Sequence, residues 1–312
     1  SVQFASFLWV SSTFKLIISK FKPGRPDFSH LKSYFSKGRH LANMASLNFW
    51  NYNFDNVLIS ARFGEASLGI YNRAFQLFMV PVAQLVWPLE KVVLMDFADR
   101  DPKELSSYLA KLQARLQLYS TSVFSFLAAS SGVVVELLLG KSWLDSGILL
   151  LWLSFSGMLQ VPLLINHWAY ILAKKNKAAF FLSIWRLAVH VVLLSSVGFA
   201  LQLVPVAILI ANIVIWISSS IYLWKFLNVF ENNLVLKSGL SSLIPGLFSF
   251  LVCRWLLEDK VIPDSPVYLV LVALIGLTVF ICVTLLSKKS LMKTELVGMI
   301  TTVKLRIWGS KS

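Results

Sequence analysis

Charged and amide side chains inside long apolar stretches are the residues of this sequence best suited to chemistry. Asp55 lies near the end of one apolar stretch, and Arg73 lies at a similar depth in the next. A short turn at residues 63–66 joins the two stretches and predicts antiparallel neighbours. Because burying an ionised group in a membrane is costly, such residues mark functional sites by default. We predict an Asp55–Arg73 ion pair, which either neutralises two charges or contacts a substrate. Asn51 and Asn53 predict that the same stretch lines a polar cavity.

Arg186 and His190 form a second candidate pair. They are four residues apart, so they share one face of a helix. Arg186 stands about two turns inside its apolar stretch, where a guanidinium can hold a phosphate group through two parallel hydrogen bonds. The alternative is an arginine whose apolar stem crosses the lipid and whose charge reaches the headgroups. We place both residues in the substrate cavity.

A candidate inner gate comes from charges at the ends of two neighbouring stretches. Lys37 and Arg39 precede the stretch that contains Asp55, and Glu90 closes the stretch that follows it. Opposite charges at the same end of adjacent helices can close a pathway between them. The alternative is ordinary anchoring of the helices at the membrane interface.

Catalysis and metal binding find no support in the residue pattern. No serine, cysteine or histidine stands at a spacing that nucleophilic catalysis or a metal site uses. Cys253 and Cys282 lie far apart inside apolar stretches, so we expect small core hydrophobes rather than a disulfide. We therefore expect neither an enzyme nor a protein with a cofactor.

The elements that must position these residues are long apolar helices. Of the 312 residues, 57% are hydrophobic and only 14% are charged, with a mean hydropathy of +0.71; soluble domains carry about 25% charged residues. The sequence predicts an all-α integral membrane protein, a polytopic bundle with one leading transmembrane helix and a second bundle of about eight. The stretches long enough to cross a bilayer are 2–18, 41–60, 66–90, 114–138, 146–172, 179–202, 204–224, 239–257 and 266–286.

The basic residues predict an orientation and a division of the chain. The net charge is +14, and most lysines and arginines fall on alternate connections, which predicts that this side and the C-terminal tail are cytoplasmic. Prolines and a glycine at residues 23–26 break the helical pattern. We expect a helix at 1–19, a cytoplasmic linker at 20–40, a bundle at 41–287 and a basic tail at 288–312. The tail either lies on the anionic leaflet as an amphipathic helix or is a solvated, unstructured segment.

Residues 53–84 carry an ordered set of small motifs, NFDNVLISARFGEASLGIYNRAFQLFMVPVAQ. They comprise Asn53 close to Asp55, then an aliphatic pair, then G-x-x-x-LG-x-Y-x-x-A and a downstream proline, Pro81. This order resembles the polysaccharide-transport flippases of the multidrug/oligosaccharidyl-lipid/polysaccharide exporter superfamily. The similarity continues through LLLGKSW and ILAKKNKAAF and covers residues 31–200.

The resemblance implies a flippase for lipid-linked oligosaccharides in the bacterial inner membrane. The substrate would be a polyprenyl-pyrophosphate carrying a repeat unit of a surface polysaccharide such as O-antigen, lipopolysaccharide or exopolysaccharide, moved outward by alternating access. Membrane lipids, a polysaccharide polymerase and chain-length proteins would be partners, and nucleic acid would not. Since the family has two helical bundles and this chain begins at Ser1 without a methionine, we expect the C-terminal part of a longer protein.

The sequence departs from the family pattern at one position, and two functions other than a flippase stay open. The family usually has a proline where Met95 stands, which changes the geometry expected at the inner gate. A cation-coupled small-molecule exporter of the same architecture would need buried carboxylates, and Asp55 is the one clear candidate. A non-transporting scaffold would have no reason to bury Asn51, Asn53 and Asp55 together.

Overall fold

The computed structural model describes residues 31–85, 87–98, 104–198, 200–228, 234–258, 266–287 and 291–308, and all regular structure in these ranges is helical. The fold is therefore all-α, as predicted. The helices are α1 (Leu31–Leu85), α2 (Trp87–Ala98), α3 (Leu105–Ala129), α4 (Ser131–Leu139), a 3₁₀ turn (Lys141–Trp143), α5 (Asp145–Gly157), α6 (Gln160–Leu172), α7 (Asn176–Ser196), α8 (Leu203–Lys225), α9 (Leu234–Glu258), α10 (Pro266–Leu286) and α11 (Leu291–Trp308).

The protein is a multi-pass membrane protein. Among the described residues, five helical segments are long and apolar enough to cross a membrane, and up to seven if each bent pair of helices makes one span. The five segments are Ala45–Phe97, Asn176–Ser196, Leu203–Lys225, Leu236–Glu258 and Val267–Leu286. The predicted first stretch, 2–18, lies outside the described residues.

The chain divides into two compact units, Ser1–Ser46 and Leu47–Ser312. The candidate site and the packing described below belong to the second unit. The predicted division at residues 19, 40 and 287 stays a prediction.

Helix α1 reverses its direction at Gly64. This glycine has φ 83° and ψ 172°, a conformation that is essentially confined to glycine. The Tyr71 hydroxyl donates a hydrogen bond to the Asp55 carboxylate, 16 residues earlier. A straight helix would separate these two residues by about 24 Å. The arms 47–63 and 65–85 must therefore run back along each other, which is the antiparallel pair that the sequence predicts.

Two predicted spans are bent in the structure. Helices α3 and α4 meet at an angle of 75°, and α5 and α6 meet at 42°. At the first bend the Ser130 hydroxyl and the Ser130 backbone N–H both donate to the Phe126 carbonyl, at 2.8 Å and 2.9 Å, and such hydroxyl bonds favour bending of a helix. The stretch 114–138 therefore forms two helices that meet at an angle and not the single straight helix that its hydropathy predicts.

Helix α3 lies at the centre of the second unit and packs against α5, α6, α9, α10 and α11. Its closest partner is α9, which presents small residues at Gly239, Ser242 and Gly246. Without side chains larger than a hydroxymethyl group, the two backbones can approach closely, as helices in membranes commonly do. The Gln117 amide adds an interhelical hydrogen bond to the Ser242 hydroxyl at 2.8 Å.

The C-terminal segment is helical and docked. Met292 and Leu296 of α11 are buried against Leu118 of α3 and Phe280 of α10. The expectation of a solvated, unstructured tail is therefore wrong for residues 291–308.

Candidate functional site

A cluster of polar and aromatic side chains joins the first arm of α1 to α7; we call it the Arg186 cluster. It comprises Asn51, Tyr52, Ser183, Arg186 and His190. The Asn51 amide nitrogen donates to the carbonyl oxygens of Leu47 at 2.9 Å and Ser183 at 3.2 Å. Because Ser183 lies one turn before Arg186, this bond brings the arginine beside α1. The Arg186 guanidinium lies over the Tyr52 ring, 5.8 Å from its centroid.

Two polar atoms of the cluster are buried without a partner. Within the residues that the structure describes, neither Arg186 Nε nor Asn51 Oδ1 has a hydrogen-bond partner. An unsatisfied buried donor or acceptor costs roughly 1–3 kcal/mol, more when it is charged. One is an ionic donor and the other a neutral acceptor, so together they can bind a ligand that carries both an anionic oxygen and a hydroxyl or N–H group.

Three further ionisable residues stand around Arg186. The His190 ring nitrogen Nδ1 is 2.9 Å from the Arg186 carbonyl oxygen, so the histidine is held on its own helix. His167 of α6 interacts electrostatically with both Arg186 and Glu90. Glu90 is half-buried in the first turn of α2, and its electrostatic partner is His167.

The predicted inner gate of Lys37, Arg39 and Glu90 stays a prediction. Lys37 and Arg39 lie in the helical backbone of α1, but their side chains lie outside those that the structure describes. Glu90 is described, and its electrostatic partner is His167.

The predicted Asp55–Arg73 ion pair is wrong. Both side chains are described, and Asp55 instead accepts hydrogen bonds from the Tyr71 hydroxyl and from the backbone N–H of Asn56 at 2.9 Å. The exposed Arg73 guanidinium lies over the Trp143 ring at 5.0 Å and donates to the Gln76 side-chain oxygen at 3.2 Å. Arg73 lies at the expected depth along its helix. It comes two residues after Tyr71, however, and two residues turn a helix by about 200°, so its side chain points away from that of Tyr71.

We expect Tyr71→Phe to lower the free energy of unfolding by about 1–3 kcal/mol, because it leaves a buried carboxylate short of a donor. Arg73→Ala should cost about 1 kcal/mol or less, the usual scale of an exposed cation–π contact. Thermal unfolding of the two variants in detergent measures the difference. A larger loss for Arg73→Ala would show that Asp55 depends on the arginine after all.

Asn53 does not join the Arg186 cluster. Its amide nitrogen donates to the Phe49 carbonyl at 2.9 Å, within its own helix. Since Asn53 is two residues from Asn51, it lies on nearly the opposite face. Of the two asparagines, only Asn51 lies beside Arg186 in the structure. That either of them lines a substrate cavity stays a prediction.

Buried hydrogen bonds between polar side chains join several helices of the bundle, and these bonds were not predicted from the sequence. The Asn166 amide donates to the hydroxyls of Ser219 at 2.7 Å and Ser220 at 2.9 Å, and the Gln117 amide donates to the Ser242 hydroxyl at 2.8 Å. A signal was present, since Gln113, Gln117, Thr121 and Ser125 recur every four residues on one face of α3. Such bonds hold membrane helices together at roughly 1 kcal/mol each.

The described residues contain no group of three or more His, Cys, Asp or Glu that could hold a metal ion. The five residues of the Arg186 cluster are an arginine, an amide, a serine, a histidine and a tyrosine, with no carboxylate among them, which suits an anion or a sugar instead of a cation. Cys253 and Cys282 are both free thiols, the first buried and the second exposed.

Comparison with known proteins gives one family and one relative. Residues 4–148 match a family model described as "Polysaccharide biosynthesis protein". Over 154 residues the chain is 27% identical to the "Teichuronic acid biosynthesis protein TuaB" of Bacillus subtilis (strain 168). That alignment covers 49% of this chain and 32% of the relative, so the chain spans only about a third of the relative's length. No solved structure matches. The family match includes Asn51 and Asp55, whereas Arg186 and His190 lie beyond it.

Proposed function

We propose that this protein is a flippase for lipid-linked oligosaccharides, because residues 4–148 match the family model described as "Polysaccharide biosynthesis protein". The substrate is a polyprenyl-pyrophosphate that carries a repeat unit of a surface polysaccharide. The headgroup crosses the membrane while the polyprenyl chain stays in the bilayer. The protein moves its substrate across the membrane and neither makes nor breaks a covalent bond. It is therefore a transporter and not an enzyme.

The single observation that carries this proposal is the unpartnered Nε of Arg186 in a spanning helix. A half-buried arginine whose buried Nε has no partner among the described residues favours an anionic ligand, and the donors of its guanidinium match the oxygens of a phosphate. A polyprenyl-pyrophosphate brings such an anion into the bilayer on a lipid anchor. A neutral or cationic cargo would leave this charge uncompensated.

The neighbours of Arg186 support recognition of the sugar part. Tyr52 is 65% exposed, so its ring can cover the apolar face of a sugar. The unpartnered Asn51 Oδ1 can accept a hydrogen bond from a sugar hydroxyl or an acetamido N–H. Both side chains come from the arm of α1 that the family match includes.

The location and partners belong to the same proposal. The distribution of lysine and arginine favours a cytoplasmic C-terminus, and a lipid-linked repeat unit of a surface polysaccharide favours the bacterial inner membrane. Movement from the inner to the outer leaflet would deliver the repeat unit to a polymerase and to chain-length proteins on the far side.

The test is a complementation with the complete reading frame that contains this chain. It would be expressed in a bacterium that lacks its own flippase but makes a defined repeat unit. We expect lipid-linked repeat units to fall and surface polymer to return. The protein could fail to move a repeat unit whose sugars differ from those of its own substrate. Lipid-linked repeat units and surface polymer are therefore also measured after deletion of its gene in the native host. Correct insertion with no change in either host would contradict the proposal and favour the small-molecule exporter.

A further inference from the structure

The C-terminal helix α11 has one face that is fixed to the bundle. Met292 and Leu296 are buried, and between them the Glu295 carboxylate accepts a hydrogen bond from Arg115 Nε at 2.5 Å. Glu295 is the one acidic residue in the segment 288–312, and its side chain is only 11% exposed. These contacts set the rotation of α11 about its axis and so define which face is turned away from the bundle.

A second face of the helix, beside the fixed one, is a strip of apolar and basic positions, which we call the outer strip of α11. Val297 and Ile300 are 45% and 49% exposed in this strip. Lys293 stands one turn before Val297, and Lys304 stands one turn after Ile300, at the spacing that keeps all four positions on one face. With Glu295 on the bundle face, the strip is purely basic in charge.

The chain places the outer strip beside the membrane. Helix α10 is the most apolar span, with a hydropathy of 3.0, and it ends at Leu286. Helix α11 begins at Leu291, and the connecting chain can reach at most about 18 Å. The helix therefore starts within the depth of the lipid headgroup layer and polar interface that borders this span.

We propose that the outer strip of α11 binds anionic phospholipid headgroups. The lysines meet the lipid phosphates, and Val297 and Ile300 enter the boundary between headgroups and acyl chains, as in interfacial amphipathic helices. Since α11 also packs on α3 and α10, a lipid bound to the strip is linked to the bundle through α11. This proposal does not depend on which substrate the protein transports.

The experiment uses the complete protein in nanodiscs with an environment-sensitive fluorophore on Ile300→Cys, after Cys253 and Cys282 are replaced by serine. The discs contain phosphatidylcholine alone or phosphatidylcholine and phosphatidylglycerol in equal parts. We expect a blue-shifted emission and protection from an aqueous quencher only with phosphatidylglycerol. Salt should weaken the effect, because screening reduces attraction between exposed charges.

Matched variants separate charge from apolar contact. Lys293→Glu with Lys304→Glu should lower lipid partition by at least about fivefold per lysine, whereas Lys293→Arg with Lys304→Arg should keep it. Equal signals in both lipids would overturn the proposal in favour of purely apolar contact. A quencher-accessible label in both lipids would overturn it in favour of solvent. Because the comparison of lipids uses the unchanged lysines, it decides the question even if a variant fails to fold.

Discussion

Arg186→Ala is expected to lower repeat-unit transport roughly 10- to 100-fold while leaving membrane insertion intact. A hydrogen bond to a charged group contributes about 1.5–3 kcal/mol, which corresponds to that factor. In the unliganded protein the guanidinium has a buried nitrogen with no partner among the described residues, so its removal should not destabilise the fold. The measurement is surface polymer and accumulated lipid-linked repeat units, each divided by the amount of inserted protein.

Two controls sharpen this prediction. Arg254 also lies in a spanning helix, but its Nε already donates to Glu258 at 2.6 Å, so Arg254→Ala should leave transport nearly unchanged. Arg186→Lys keeps the charge without the planar fork and should fall between the wild type and Arg186→Ala. Equal activity of Arg186→Ala and Arg254→Ala would remove Arg186 from the substrate pathway.

Gly246→Leu should strongly destabilise the bundle. A Cβ at Gly246 would stand 2.6 Å from the Thr121 methyl and 3.1 Å from the Ser125 hydroxyl, where α9 packs on α3. Overpacking of this kind costs about 1–3 kcal/mol, and leucine at a helix–helix contact should reach the upper end or exceed it. We expect a lower thermal unfolding temperature in detergent and a smaller yield of monodisperse protein.

Gly69→Leu is the matched control, because Gly69 is also helical and a Cβ there would meet no atom within 4 Å. It should unfold within a few degrees of the wild type, as substitutions away from packed contacts usually change stability by about 0.5 kcal/mol or less. A similar loss for both glycines would mean that glycine's local backbone effect, and not the α9–α3 contact, controls stability.

The sequence predicts the helices well because hydropathy reports on lipid exposure along the chain. The reversal at Gly64 is also readable, since a short turn between two apolar runs forces antiparallel neighbours. The bend at Ser130 is not, because only Ser130, Ser131 and Gly132 interrupt the apolar run there. Hydropathy averages over many residues and does not register so short an interruption.

The candidate site is only partly predictable for a similar reason. Asn51 and Arg186 stand out singly, as polar groups in apolar stretches. Their junction with Tyr52 depends on the pairing of α1 with α7, which no local pattern encodes. The same limit explains the wrong Asp55–Arg73 pair, since depth along a helix follows from counting residues but the partner's face depends on packing. Tyr71, two residues before Arg73, lies on the face of its helix that meets Asp55.

The central claim is that Arg186 serves an anionic, lipid-linked substrate. The most direct measurement is transport by the complete purified protein in proteoliposomes, with two fluorescent polyprenyl-linked oligosaccharides that differ only in the pyrophosphate. The account predicts that the wild type moves the pyrophosphate-linked probe, that Arg186→Ala moves it far more slowly, and that the uncharged probe stays in its leaflet. Equal movement of both probes, or unchanged movement in Arg186→Ala, would contradict it.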